Sequence, residues 1–348
     1  MNSTLAPLSW ASFATHWHVR PWWLLFSAVV LAAYLGGVLV ARRAGVRAVH
    51  PARVGSFVAG IAVLLLTVSS AIDAYAMALF WDHMIEHLLL IMVVPVLLVL
   101  GHPLTVLRAA AAMYGKEGVV DSFLGSRPVA LLTHPGVGLV LYTAVIVGTH
   151  LTGFMDAMAS HGWLMWAEQW LYVLTGYVYL LPLLGAEPIR WRLPYLARPA
   201  LILLGMTPDT VVGIVLLQST HDMFPVMEGR HPSWAPAPLD DLHIGGALMW
   251  VGGDGLMMLF GVGVILAIIT HPGSDQMIGR TLENVRRRTL TAHVTATGGR
   301  APDDDVDIDD DAMLDAYNQM LARMHAQSEP ASGPQRTAGN EGQGGSSS

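Results

Sequence analysis

Residues 81–102 read WDHMIEHLLLIMVVPVLLVLGH. The apolar run from Leu88 to Leu100 covers about 20 Å as helix, at roughly 1.5 Å per residue. A bilayer core is about 30 Å thick. A helix that spans it must draw in the preceding turns, which carry Asp82, His83, Glu86 and His87. Steps of three and four put these groups on one helical stripe. Ionisable side chains at membrane depth face a bundle interior and do work there. The stretch therefore predicts a membrane helix with a polar, inward-facing site in one leaflet.

The rest of the chain agrees with a membrane fold. Of 348 residues, 53% are hydrophobic and 13% charged, against about 25% charged in a soluble domain. The net charge of −7 is dominated by an acidic C-terminal run and says little about partners. There are no cysteines, which excludes disulfides, thiolate metal sites and thiol-based metal shuttling. The expected fold is an all-α integral membrane protein of seven transmembrane helices, at roughly 22–41, 54–74, 80–100, 136–154, 166–185, 199–219 and 244–270. Residues 1–21 form an outer segment, 22–272 the membrane domain and 273–348 a cytoplasmic tail. No basic n-region precedes the first apolar run, and Arg42 and Arg43 follow it. This argues for a first span with its N-terminus outside rather than a cleaved leader.

The loops fit that orientation. The predicted cytoplasmic loops hold ten basic residues and the outer segments only Arg20 and Arg230, a positive-inside pattern. Arg280 and Arg286 to Arg288 keep the tail inside. Ten of the eleven Trp fall outside and read as an interfacial belt, a few of them as walls of a site. In the tail, Asp303 to Asp311 is an acidic run. A short amphipathic helix is expected at about 312–326, followed by a Gly- and Ser-rich disordered end.

The same topology gathers the candidate ligands. Nine of the fifteen His lie at or near the outer side, with many Met and several acids. Imidazole and thioether donors without thiolate suit copper in an oxidising compartment. His83 and His87, four apart, can bind one ion from one helix, with Glu86 holding a ring or ligating. His150 ends the fourth span in THLTGF. His221, Asp222 and Met223 end the sixth as STHDMF, where His-x-Met pairs two soft donors. His102, His134 and His271 each precede Pro and read as boundary residues. Asp209, beside Pro208, and Asp254, among small Gly residues, are acids at membrane depth and count as supporting site residues.

HMIEHLLLIMVVPVLLVLGHPLTVLRA resembles the signature of the polytopic CtaG-type cytochrome c oxidase assembly factors, through His83, Met84, His87, Pro95, Gly101, Pro103 and Leu104. WHVRPWWLL, THLTGF, TPDTVVG, GGDGLMM and YNQMLARM also look like that family. The resemblance implies a non-enzymatic role in oxidase maturation at the bacterial cytoplasmic membrane. It implies copper as the cofactor and oxidase subunits or other assembly factors as the partners, with no nucleic acid. In the family the fifth span often carries histidines near its outer end. Here HGWLMWAEQWLY puts Met165, Glu168 and Gln169 there.

The expected metal ligands are thus His83, His87, Met84, His150, His221 and Met223, with Asp82, Glu86, Asp209 and Asp254 supporting. Two other readings stay open. His83-Met84-Ile85-Glu86-His87 fits the H-x-x-E-H pattern of zinc proteases, with Glu86 as base. His83 or His87 could pair with His150 or His221 as axial haem ligands.

Overall fold

The computed structural model describes residues 5–43, 45, 50–184, 187–191, 193–194, 197–225, 231–270, 318 and 322. The chain divides into two units, Met1–Ile268 and Ile269–Ser348. In the second, the expected acidic run, amphipathic helix and disordered end lie outside the described residues, except that Asn318 and Ala322 are helical and exposed. His271 lies outside them as well.

Every secondary-structure element among the described residues is a helix. The principal ones are α1, Pro21–Arg43, and α2, Pro51–Ser69. Next comes α3, which runs over residues 80–100 as Phe80–Leu88, a π-turn Leu89–Val93, and Val94–Leu100. After these come α4, Pro135–His150, α5, Trp163–Leu184, and α6, Ala197–Leu217. The last, α7, runs as Pro238–Ala247, a π-turn Leu248–Gly252, and Gly253–Ile269. Shorter helices, including Ala71–Tyr75 and Pro103–Ala112, link them. Each of the seven expected segments is helical, and α7 begins six residues before its expected start.

Among the described residues, five segments are long and apolar enough to cross a membrane: Pro21–Arg43, Pro51–Tyr75, Phe80–Ala112, Ala197–Leu217 and Pro238–Ile269. Of the other two, α4 is apolar but has 16 residues. The second, α5, has 22 residues and carries Glu168 and Gln169.

Proline sets several helix starts. Pro51, Pro103, Pro135 and Pro238 stand in the first turn of their helices, where a missing N–H is harmless and φ is already helical. The residue before each is pushed out of the α region. His134 fills that place before α4, and its Nδ1 accepts from the Gly136 amide at 3.1 Å. His102 precedes Pro103 in the left-handed region at φ 54, a conformation that costs a non-glycine residue about 1–2 kcal/mol. Both are boundary residues, as expected.

The segment containing α3 is the most enclosed of the five, with 61% of its apolar window buried against 22% for α1 and 17% for α7. It packs on α2, α5 and α7. Asp82, His83, Glu86 and His87 are all buried, so the polar stripe faces protein, as its cost in lipid requires. Downstream, Pro95 has no N–H for the Ile91 carbonyl four residues earlier. That carbonyl lies in the π-turn and presses on Gly176 of α5, where a Cβ would collide with it. Gly176 thus lets α5 approach α3 closely at the turn just below the polar stripe.

Candidate metal centre

The site begins with how the first turn of α3 is held. Its N-cap, Leu79, offers no side-chain bond. The Asp241 carboxylate of α7 accepts from the Phe80 and Trp81 amides instead, at 2.8 and 3.0 Å. A carboxylate here satisfies two orphan donors and complements the helix dipole. It also fixes α7 against the start of the helix that carries His83 and His87.

The ring nitrogens can be assigned from their partners. On α4, His150 Nδ1 lies 2.9 Å from the Ile146 carbonyl. A carbonyl only accepts, so Nδ1 carries the proton and Nε2 is a lone pair. That Nε2 lies 3.3 Å from His87 Nδ1, so His87 donates from Nδ1 and its own Nε2 is a lone pair. His87 Nε2 in turn faces Glu168 Oε1 of α5 at 3.4 Å, and His83 Nε2 lies 3.8 Å from Glu168 Oε2. The His87 lone pair therefore confronts a carboxylate, with the His83 ring beside it. His83 Nδ1 and Nε2, His87 Nε2 and Glu168 Oε1 are buried with no hydrogen-bond partner among the described residues.

Each such atom costs about 1–3 kcal/mol unless something satisfies it. A cation between them would. One ligand atom each from His83, His87 and Glu168 falls within 4.8 Å of the others. The two rings are 4.1 Å apart between centroids.

The surroundings hold these rings in place. Tyr172 stacks on His87 at 4.0 Å, and its hydroxyl bonds to Thr149 at 2.7 Å. Next to Glu168, the Gln169 amide donates to Glu86 at 2.6 Å and Asp73 at 2.9 Å. Its oxygen accepts from Trp23 Nε1 at 3.2 Å. Arg20 closes the network on Asp73 at 2.6 Å. One amide thus ties α1, α3, α5 and the Ala71–Tyr75 helix beside the candidate ligands. Among the Trp, Trp23 is fully buried and walls this network, whereas Trp10, Trp17, Trp22, Trp163 and Trp166 are exposed, as belt residues are.

The family model of the cytochrome c oxidase caa3 assembly factor, Caa3_CtaG, matches residues 32–271. This chain belongs to that family. Among curated proteins, it is 32% identical over 232 residues to the uncharacterized protein ML1998 of Mycobacterium leprae, covering 64% of this chain and 35% of that protein. It is 29% identical over 253 residues to the uncharacterized protein Mb0105 of Mycobacterium bovis, covering 70% of this chain and 38% of that protein. The chain thus spans little more than a third of the curated relatives it matches. No solved structure matches it.

In this Caa3_CtaG-family chain, the residues expected at the site part company. His83, His87 and His150 converge. Met84 lines a separate small cavity with His87, His150, Asp209 and Met249. His221 is exposed and its carbonyl accepts from Ser219. Met223 is half-buried against the apolar core. Glu86 is bound by Gln169 and lies outside the three-residue group. Asp82 is buried with one oxygen unpartnered, and Asp254 accepts from Thr210 at 2.7 Å. In the sequence Glu168 was legible only as an acid at membrane depth, among tryptophans, on the span where the resemblance pointed to histidines.

Proposed function

We propose that this chain is a multi-pass plasma-membrane protein that handles or delivers copper during cytochrome c oxidase assembly, without catalysing a reaction. Seven helices cross the membrane with the N-terminus outside. The ten-to-two bias of basic residues toward the inner loops supports that orientation. It puts the site in the outer leaflet.

The observation that carries the reading is the convergence of buried His83, His87 and Glu168 atoms that have no partner among the described residues. Two imidazoles and a carboxylate fit a divalent transition metal. His83 and His87 would ligate through nitrogen and Glu168 through oxygen. His150 would orient His87 through the Nδ1 hydrogen bond, and Gln169 and Trp23 would hold the Glu168 turn of α5 in place. Bound copper supplies the cargo for the oxidase. The partner is an oxidase subunit or another assembly factor.

One observation favours a second reading. Glu168 completes a two-His, one-Glu set of the kind that holds catalytic zinc, beside a His83-x-x-Glu86-His87 sequence. Against it, Glu86 is engaged by Gln169 at 2.6 Å and has no role at the three ligand atoms.

Metal analysis of the detergent-purified protein separates the readings. Copper bound in the wild type and lost in His83→Ala, His87→Ala and Glu168→Ala supports the proposal. Equal copper in all four proteins overturns it. Zinc content with Glu86-dependent cleavage of a membrane substrate establishes the alternative.

A further inference from the structure

We propose a second, softer metal position in the cavity that Met84, His87, His150, Asp209 and Met249 line, suited to a monovalent soft cation such as Cu(I). The inference rests on the metal-handling reading above but concerns different donors. The cavity measures about 10 Å³, close to the space one water or one ion needs. Its walls come from α3, α4, α6 and α7.

Its donors differ in kind from those of the upper site. Met84 and Met249 are buried thioethers, soft ligands that select Cu(I). Asp209 is 1% exposed. One of its oxygens accepts from Tyr142 at 2.7 Å, while the other, Oδ1, is buried with no partner among the described residues. A single carboxylate with neutral thioethers balances one positive charge. His150 borders the cavity, and its Nε2 becomes a further donor if His87 releases their hydrogen bond. His87 and His150 thus stand between a site of imidazole and carboxylate above and one of thioether and carboxylate below.

Silver(I), a redox-inert mimic of Cu(I), probes the cavity in the full-length purified protein. Bound silver is measured by mass spectrometry after competitive titration, alongside Cu(II) stoichiometry. The Met84→Leu/Met249→Leu variant conserves volume, and its thermal unfolding checks that it folds. Asp209→Asn gives an independent arm.

The expected result is at least a tenfold loss of silver affinity in both variants with Cu(II) stoichiometry unchanged. His83→Ala should do the reverse, losing Cu(II) and keeping silver. Silver affinity unmoved by the Met and Asp209 substitutions overturns the second position, even if Cu(II) binds as proposed. Met-dependent silver binding with no Cu(II) at His83 and His87 keeps the second position and removes the upper one.

Discussion

Two buried glutamates, one near each end of α5, make opposite use of burial. Glu187, just past its C-terminal end, accepts from the Leu104 amide at 3.0 Å, the Thr105 amide at 2.8 Å and the Thr105 hydroxyl at 2.7 Å. It caps the Pro103–Ala112 helix, and both its oxygens are satisfied. Glu168, in the second turn of α5, faces the Nε2 atoms of His87 and His83 and has an oxygen with no partner among the described residues. Both are nearly inaccessible. Burial therefore does not distinguish a structural carboxylate from a ligand; the donor inventory does. A carboxylate surrounded by N–H and O–H groups is a tie, and one surrounded by lone pairs suits a cation.

That contrast can be broken most strongly at the ligands. His87→Ala or Glu168→Ala should abolish measurable metal binding. The loss should exceed the 10–100-fold typical of removing a group that only orients a ligand. Glu187→Ala should leave metal content unchanged. Metal lost equally in both glutamate variants would erase the distinction.

His150→Ala tests the orienting chain. It removes the acceptor that fixes the His87 tautomer, so affinity should fall by about 10–100-fold, with metal stoichiometry retained at high concentration. A titration with a competing chelator measures this.

Gly176→Ala tests the scaffold between the two glutamates. Its methyl would strike the Ile91 carbonyl of the π-turn, and such overpacking costs about 1–3 kcal/mol. The melting temperature should drop. An unchanged Tm would mean that α5 has slack at this approach.

The smallest effect is at Glu187. Burial pushes its carboxyl above the usual range, while the bonds from Thr105 and Leu104 work against that rise. The folded state therefore binds this proton more tightly than the unfolded one. Stability from this group is full below the unfolded pKa, near 4.3, and declines as pH rises through the folded value. Glu187→Gln removes that titration, so the stability of wild type relative to the variant should fall as pH rises from the acid range toward neutrality. Parallel unfolding curves across that range would refute the assignment.

Much of this was legible along the chain. The α3 stripe was readable because His83 and His87 are four residues apart on one helix, and burial of Asp82 and Glu86 followed from their cost in lipid. Pro after His102 and His134 marked helix boundaries through local sterics. The third candidate ligand was legible only as an acid at membrane depth, not as a partner of the two rings. Glu168 sits 85 positions beyond His83 on a helix where the resemblance led to histidine, and nothing local aims it at an imidazole. The His-Met-x-x-His motif likewise hid a division. One step along a helix turns a side chain by about 100°, so Met84 lines a cavity that His83 does not border.

The sequence by itself determined the apolar helical segments, the proline-set starts and the His83–His87 pair, because each depends on hydropathy, sterics or spacing within one segment. Only the tertiary structure decided that His150 fixes the His87 tautomer, that Glu168 meets both rings, and that Met84, Met249 and Asp209 share a cavity. Those facts depend on how helices rotate and approach. That in turn is set by distant contacts such as Gly176 on the Ile91 carbonyl and Asp241 on the first turn of α3.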